Sequence, residues 1–371
     1  MSPTREIRRE PLDTPATWRG PEIARSADWI HRLSSAEIQD LERGLAVARE
    51  TGKPLESLTR DDFPLETLRP AIARWMQILQ RGRGFLNVKG IPVDRHDDDD
   101  VARMHWGIGL AMGTAVSQNA AGDLLGHVRD TGADPDDTSV RLYKTRVPLG
   151  FHSDGSDLVG LLCIRQGRSG GENRLVSTAA LYNEILRRRP DLVPVLYEPF
   201  CWDRNDEQAE GEPGFFELPI CRSQGDHLSF FYIPWYIRKA QRHAGAPRLS
   251  EAQTAALDLI DEIAADPAFH LELRLEPGEI NYLKNNTALH ARTEFVDFDE
   301  PARKRHLVRL WLTAHGEWAD GDAFVQRGIP VKAGVRSDAD DIAATSGGAR
   351  SADTPKPEPR RTPCVFSSPS T

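Results

Sequence analysis

Two histidines and an acid bind a metal when the chain brings them to one point, and Phe151-His152-Ser153-Asp154 is a candidate for two of the three. The tetrapeptide follows a strand-like segment. In an extended backbone, residues i and i+2 face the same way, so His152 and Asp154 reach toward one ion. A distant strand-like run, 279–284, leads into Asn285-Asn286-Thr287-Ala288-Leu289-His290 and offers a third ligand. Two imidazoles and a carboxylate on one face of iron leave three positions open, as O2 activation requires. The same donors also suit a catalytic zinc. Eleven histidines create rival pairings: His96-Asp97-Asp98, His270-Leu271-Glu272 and His315-Gly316-Glu317. His96 lies in an acidic run and reads as solvated. His270 and Glu272 share a strand face, but no ordered set of partners follows them.

The elements that must hold these residues are legible in outline. Residues 1–30 are charged and proline-containing, and read as a flexible arm. Ser34 or Ser35 caps a helix whose apolar face is Ile38, Leu41, Leu45 and Val47. A second helix is expected over 65–81, with Leu68, Ile72, Trp75, Met76 and Leu79 at helical spacing. A strand follows at Gly84–Val88. Asp97 to Asp100 opens a helical stretch over 101–112, where negative charge suits the positive end of the helix dipole. The spaced ligands of a calcium loop are missing there. Further strands are expected at Arg141–Tyr143, Leu158–Ile164, 270–275, 279–284 and 305–313, with Pro277-Gly278 as a tight turn. Helices are expected at 178–198 and 250–265. This order, with a helical and irregular insertion at about 178–268, suits an α+β chain with a mainly β core, a sandwich or jelly roll. One domain would span 31–320, and the Ser-, Ala-, Asp- and Pro-rich stretch 335–371 reads as a disordered tail.

Bulk properties narrow the function classes. The 371 residues carry a formal charge of −9 with dispersed basic residues, which argues against a nucleic-acid surface. The four cysteines form no CxxC pair, so neither a zinc ribbon nor a redox dithiol is expected. No stretch reads as a signal peptide or a membrane span, so a cytoplasmic protein with reduced thiols is expected.

Two segments carry a family resemblance: PLGFHSDGSDLVGLLCIRQGRSGGENRLVST (148–178) and EPGEINYLKNNTALHARTEFVDFDEPARKRHLVRLWLT (276–313). With the GRGFLNVKGIPV stretch, the sequence resembles the taurine dioxygenase and clavaminate synthase-like family of Fe(II)/2-oxoglutarate oxygenases, over roughly residues 65–320. The resemblance implies a double-stranded β-helix (jelly roll) with flanking N-terminal helices. It makes His152, Asp154 and His290 the iron ligands. Arg305, fifteen residues after His290 (305 − 290), matches the arginine that grips the distal carboxylate of 2-oxoglutarate, a pairing suited to a guanidinium. Arg309 lies on the same strand face and matches a second active-site arginine that often faces the substrate. The length of the intervening loop leaves open which of the two holds the cosubstrate. Asn173 stands where the family carries a threonine that contacts 2-oxoglutarate, with Ser177 or Thr178 as stand-ins.

Around this set, Gln118, Asn119, His127 and Arg129 lie in a stretch similar to family segments near the active site. Lys144 and Arg146, just before the motif, are placed to meet an anionic substrate. Asn285 and Asn286 are placed to orient His290. The aromatics of 200–235 read as packing or as a wall over the site. The implied reaction consumes 2-oxoglutarate and O2, releases succinate and CO2, and hydroxylates a small molecule, with desaturation or cyclisation as variants. Retention of Asp154 speaks against halogenation, which needs that ligand position vacated. Two other readings stay open: a zinc- or manganese-dependent hydrolase, for which the arginine pair and Gly170-Gly171 have no evident purpose, and a non-catalytic metal-containing jelly-roll binding protein. The sequence sets neither the substrate nor the oligomeric state, and a homo-oligomer is left open.

Overall fold

A computed structural model describes residues 7–134, 140–208, 210–315, 329 and 331. Two sheets dominate a mixed α/β chain. The larger runs Ile30–Arg32, Phe85–Lys89, Glu279–Lys284, Leu158–Arg165, His306–Ala314, Gly113–Ala115, with Leu125–Val128 also paired to His306–Ala314. The smaller runs His270–Leu273, Asn173–Ser177, Ala288–Arg292, Leu149–His152. Pairing is antiparallel except between Ile30–Arg32 and Phe85–Lys89.

The period-two alternation of side chains sets the layers. Leu175 and Ala288 of the small sheet share one buried cluster with Phe85, Val159, Leu283 and Trp311 of the large one. Their sequence neighbours Val176 and Leu289 face the other way, into a cluster with the helices of the insertion. The outer face of the large sheet is covered by helices Ser35–Glu50, Arg69–Arg81 and Asp98–Met112. Trp75 is its largest anchor, 1% exposed and stacked on Tyr282. Trp75→Ala should cost about 3–5 kcal/mol of unfolding free energy, measured by urea denaturation.

Several expectations change on contact with the structure. The supposed arm is packed from Ile7 onward: Leu12 and Trp18 are buried, and the Trp18 indole donates to the Arg83 carbonyl. Its apolar residues are too few to show a period yet each finds a slot. Arg141–Tyr143 is not a strand; Leu142–Lys144 is a 3-10 turn. The helix expected from 65 begins at Arg69, with Pro70 in its first turn, and the helix expected to reach 198 ends at Arg188, ahead of Pro190. The insertion between Ser177 and His270 also holds strands Phe200–Asp203, Phe215–Leu218, Cys221–Gln224 and His227–Phe230.

Other expectations hold. Ser34 and Ser250 both close capping boxes. Asp97 caps its helix, Asp98 pairs with Arg165 and Asp100 with Arg49, so the acidic run is structural. Gly278 has φ 83°, and a Cβ there would lie 2.4 Å from the Ile91 carbonyl oxygen, so the turn requires glycine. Cys163, Cys201 and Cys221 are buried free thiols. Among the described residues, no helix is long and apolar enough to cross a membrane. Residues 332–371, Cys364 and most of His315-Gly316-Glu317 lie outside the described residues.

Candidate active site

Strand pairing explains how residues 138 apart in sequence (290 − 152) meet. Leu149–His152 lies antiparallel to Ala288–Arg292, with His290 opposite His152 and the two rings 4.2 Å apart between centroids. Asp154 sits just past the strand end, in a turn held by Asn285. The Asn285 side-chain oxygen accepts from the Asp154 N–H at 3.0 Å, and its amide donates to the Ser156 carbonyl at 2.9 Å. The insertion clamps the same turn, because the Ser153 N–H donates to the Tyr232 carbonyl at 2.7 Å.

The result is a compact donor set. His152 Nε2 lies 3.8 Å and His290 Nε2 3.6 Å from the two Asp154 oxygens, and one ligand atom from each residue lies within 4.8 Å of the others. Ligands at ~2.1 Å from one ion stand about 3 Å apart, so side-chain rotations of under about 1 Å close the set. His152 Nδ1 lies 2.8 Å from the Gly150 carbonyl; donating there leaves Nε2 as a lone pair. Burial, then the neighbouring His152, push His290 down to about 3, and burial also lowers His152, so both imidazoles are neutral ligands near pH 7. Burial alone would raise Asp154, but the adjacent Arg309 guanidinium leads the interactions that outweigh it and lower the carboxyl.

A second feature lies beside this set. Asn173 pairs across the small sheet with Arg292, two residues beyond His290 and on its face. The Arg292 and Arg305 guanidinia each lie 4.9 Å from the centre of the Phe295 ring, and Arg305 Nη2 reaches the Gly171 carbonyl at 3.4 Å. Arg305 is 1% exposed. Asn173 Nδ2 and the Nε and Nη1 groups of Arg292 and Arg305 are buried donors with no partner. Burial pushes Arg305 down to about 10 and, with Arg305 beside it, Arg292 to about 9. Unpaired buried donors are costly, so this group of atoms is chemically suited to an anionic partner.

A cavity of about 220 Å³, whose lining does not include Arg292 or Arg305, reaches His152 and Asp154. Tyr143, Trp235, Tyr236 and Trp311 supply aromatic wall, and Arg141, Lys239 and Arg309 supply cations.

Residues 51–311 match the family model described as taurine catabolism dioxygenase TauD, TfdA family. The chain belongs to that dioxygenase family. It is an Fe(II)- and 2-oxoglutarate-dependent oxygenase. Among relatives, the dioxygenase is 29% identical over 314 residues to FR-33289 synthase of Streptomyces rubellomurinus (83% of this chain, 91% of that one). It is 26% identical over 308 residues to the taurine hydroxylase-like protein SAT17 of Stachybotrys chartarum (81% and 79%). A shorter match, 28% over 180 residues (45% and 62%), is to a uridine-5′-phosphate dioxygenase of Amycolatopsis. Among solved structures, the fold matches asparagine oxygenase in complex with Fe(II), 3-hydroxyasparagine and succinate (TM-score 0.59, 17% identity, 77% and 94% covered). It also matches the oxygenase OrfP with Fe and α-ketoglutaric acid (TM-score 0.57, 15% identity, 77% and 94%).

Several residues picked from the dioxygenase sequence sit elsewhere than expected. Asn285 orients Asp154 rather than His290, whose Nδ1 has no partner. Asn286 ties the core to the insertion through Ser229 and the Phe230 N–H. Gln118 accepts from Arg309 Nε at 2.8 Å and so braces that arginine from behind. Asn119 closes a local turn with Asp123. Lys144 and Arg146 do not line the cavity; the tight turn at Leu142–Lys144 leaves Arg146 exposed. Ser177 caps a helix, and Thr178 donates to the Thr287 carbonyl. His127, on strand Leu125–Val128, packs at a tilt against His306, with Nδ1 2.9 Å from its Nε2. Of the rival histidines, His96 is not solvated but pairs with Glu42, and His270 faces the Ala264 carbonyl. Of the aromatics, Phe230, Phe231 and Tyr232 are core, while Trp235 and Tyr236 line the cavity. Arg292, Arg141 and Lys239 were missed. The spacing His290-x-Arg292 was the available signal for the first; nothing local marks the other two.

Proposed function

We propose that His152, Asp154 and His290 hold Fe(II), that Arg305 with Asn173 and Arg292 holds the far carboxylate of 2-oxoglutarate, and that a small organic substrate is oxidised in the adjoining cavity. The fold is then read as a jelly roll in one domain. The observation that carries this reading is the pairing of a two-histidine, one-carboxylate set with buried, unpartnered cationic donors beside it. A hydrolase would have no use for those donors. The donor chemistry fits Fe(II), which supplies O2 activation and the oxidising step when bound. Asp154 fills the carboxylate position, so hydroxylation rather than halogenation is favoured.

The chain's own part is placement. The Gly150 carbonyl fixes the His152 ring, and Asn285 fixes the Asp154 backbone. Arg309 Nη1 donates to the Asp154 carboxylate, 3.2 Å from Oδ1 and 3.5 Å from Oδ2, and steadies it. Aromatic walls at Trp235 and Trp311 limit water beside the reacting carbon. Substrate binds against the face that carries Arg309, and Arg305, absent from the cavity wall, is left for the cosubstrate.

Anaerobic titration of the protein with Fe(II) and 2-oxoglutarate should give the weak visible charge-transfer band of the chelate. The band should vanish with His152→Ala. A protein that binds zinc or manganese tightly but never develops the band would instead be a hydrolase or a binding protein. Asn285→Ala should weaken Fe(II) binding by about 10–100-fold, the usual effect of losing an outer hydrogen bond that aims a ligand. Equilibrium dialysis against Fe(II) measures it.

A further inference from the structure

Arg141, Lys239 and Arg309, the basic residues on the cavity wall, are each matched within the protein. Arg141 pairs with Glu207, Lys239 lies 2.6 Å from Asn205 Oδ1 and 4.0 Å from Asp203, and Arg309 holds Asp154. Much of the remaining lining is apolar, and three of its members, Tyr143, Trp311 and Ile329, belong to one buried cluster. Tyr143 and Trp311 carry the Arg309 guanidinium over their faces, 4.8 Å and 4.7 Å from the ring centres.

Ile329 comes from outside the shared region. The family match ends at residue 311, 18 residues earlier (329 − 311), and the metal set and both active-site arginines lie within it. Its place is nonetheless fixed. The Ile329 N–H donates to the Ser117 carbonyl at 2.9 Å and to Ser117 Oγ at 3.1 Å, while Ser117 Oγ donates to the Ile329 carbonyl. Ile329 is 6% exposed, whereas Val331, two residues on, is 65% exposed. Ser117 is itself built into the site. The Val116 N–H before it donates to the Trp311 carbonyl at 3.1 Å, and Gln118 after it braces Arg309 Nε at 2.8 Å. Ile329 therefore stands on the Arg309 side of the cavity, clasped to the segment that steadies that arginine.

Packing alone would account for a buried isoleucine, but not for its place on the wall of the cavity that reaches His152 and Asp154. We propose that Ile329 is a specificity-determining residue: its side chain closes the cavity beside Arg309 and sets the size of the apolar group that the substrate can place against Tyr143 and Trp311. One methylene more or less in an apolar pocket changes substrate selection by roughly 10- to 200-fold. The inference rests on the oxygenase reading for its purpose, while the docking of Ile329 is tested without it.

Docking is read in the metal-free full chain by thiol labelling with dithiobis(nitrobenzoate). Cys364→Ser serves as the background, since Cys163, Cys201 and Cys221 are buried. Ile329→Cys should label at least about 10-fold more slowly than Val331→Cys, and Ser117→Ala should remove most of that protection. Selection is read with imidazole, 4-phenylimidazole and 4-(1-naphthyl)imidazole, titrated anaerobically into the Co(II)–2-oxoglutarate complex and followed in the visible absorption of the metal. Ile329→Trp should weaken 4-phenylimidazole by about 10-fold or more relative to imidazole, which needs no such room. Ile329→Ala should favour the naphthyl over the phenyl probe by about 5-fold or more, and it keeps the test decisive if the tryptophan variant does not fold. Equal labelling at 329 and 331 would overturn the proposal. So would slow labelling with the same size preference in every variant, because Ile329 would then only pack. Slow labelling with no imidazole bound to Co(II) in the wild type would instead sink the oxygenase reading and leave Ile329 docked on Ser117.

Discussion

Arg305→Met should raise the 2-oxoglutarate Kd by roughly 100-fold while leaving the metal-free protein as stable as wild type or more so. The two halves of this result have one cause. Arg305 is 1% exposed, yet Nε and Nη1 have no partner, and burial has already weakened its hold on its proton. A buried cation without an acid destabilises the empty protein, and an apolar chain of similar length relieves that. Methionine also retains contact with the Phe295 ring, over which the guanidinium lies. The incoming carboxylate, in contrast, loses a two-point charge-assisted grip worth about 3 kcal/mol, or roughly 100-fold in binding. Arg309→Met should separate from it: Arg309 touches Asp154 and lines the substrate cavity, so its loss should act on metal and substrate and only weakly on 2-oxoglutarate. Chelate-band titrations give the affinities and thermal melts of metal-free protein give the stability. An unchanged 2-oxoglutarate affinity in Arg305→Met, with a loss in Arg309→Met, would exchange the roles of the two arginines.

The contrast between those arginines marks what the sequence could and could not disclose. Local patterning made His152 and Asp154 a candidate pair, because i and i+2 in an extended segment must share a face, and the family resemblance set that pair above its rivals. The family resemblance pointed to His290 as the third ligand and to Arg305. The strand 158–164 was legible because it is apolar along its length, and 279–284 because Ile280 and Tyr282 alternate with Glu279 and Asn281 just after the Pro277-Gly278 turn. Arg292 was within reach, since it stands two residues beyond His290 on the same face. Arg141 and Lys239 were not, because they are brought together by the turn at 203–207, whose shape depends on Arg242 pairing across it. Asn285 was picked for the right neighbourhood and the wrong partner: whether it turned toward His290 or Asp154 depended on how the 153–156 turn packs, which no local signal encodes. The N-terminal arm failed differently. Leu12 and Trp18 are isolated apolar residues in a charged stretch, and only the groove they fill gives them a place.

Asp154→Ala should abolish turnover, weaken Fe(II) binding by more than about 100-fold, and also lower the stability of the metal-free protein by about 3 kcal/mol. The loss of a charged ligand accounts for the first two effects, because the remaining pair of neutral imidazoles cannot balance a divalent ion. The third follows from Arg309. Its side chain is 8% exposed and that of Asp154 5%. Removing the acid leaves the guanidinium buried with Gln118 and the faces of Tyr143 and Trp311, but with no counter-charge in contact. Breaking one half of a buried pair is worth about 3–5 kcal/mol for that reason, whereas removing both halves is often neutral. The double variant Asp154→Ala/Arg309→Met should therefore regain most of the stability in urea denaturation and none of the Fe(II) affinity or turnover. If the single variant is as stable as wild type, the Arg309 charge has another sink and Asp154 belongs to the metal alone. If the double variant stays unstable, Asp154 is needed by the 153–156 turn itself. Recovery of folding without recovery of chemistry would separate the two duties of one carboxylate: it neutralises a buried arginine when the metal is absent, and it completes the metal's ligand set when the metal is bound.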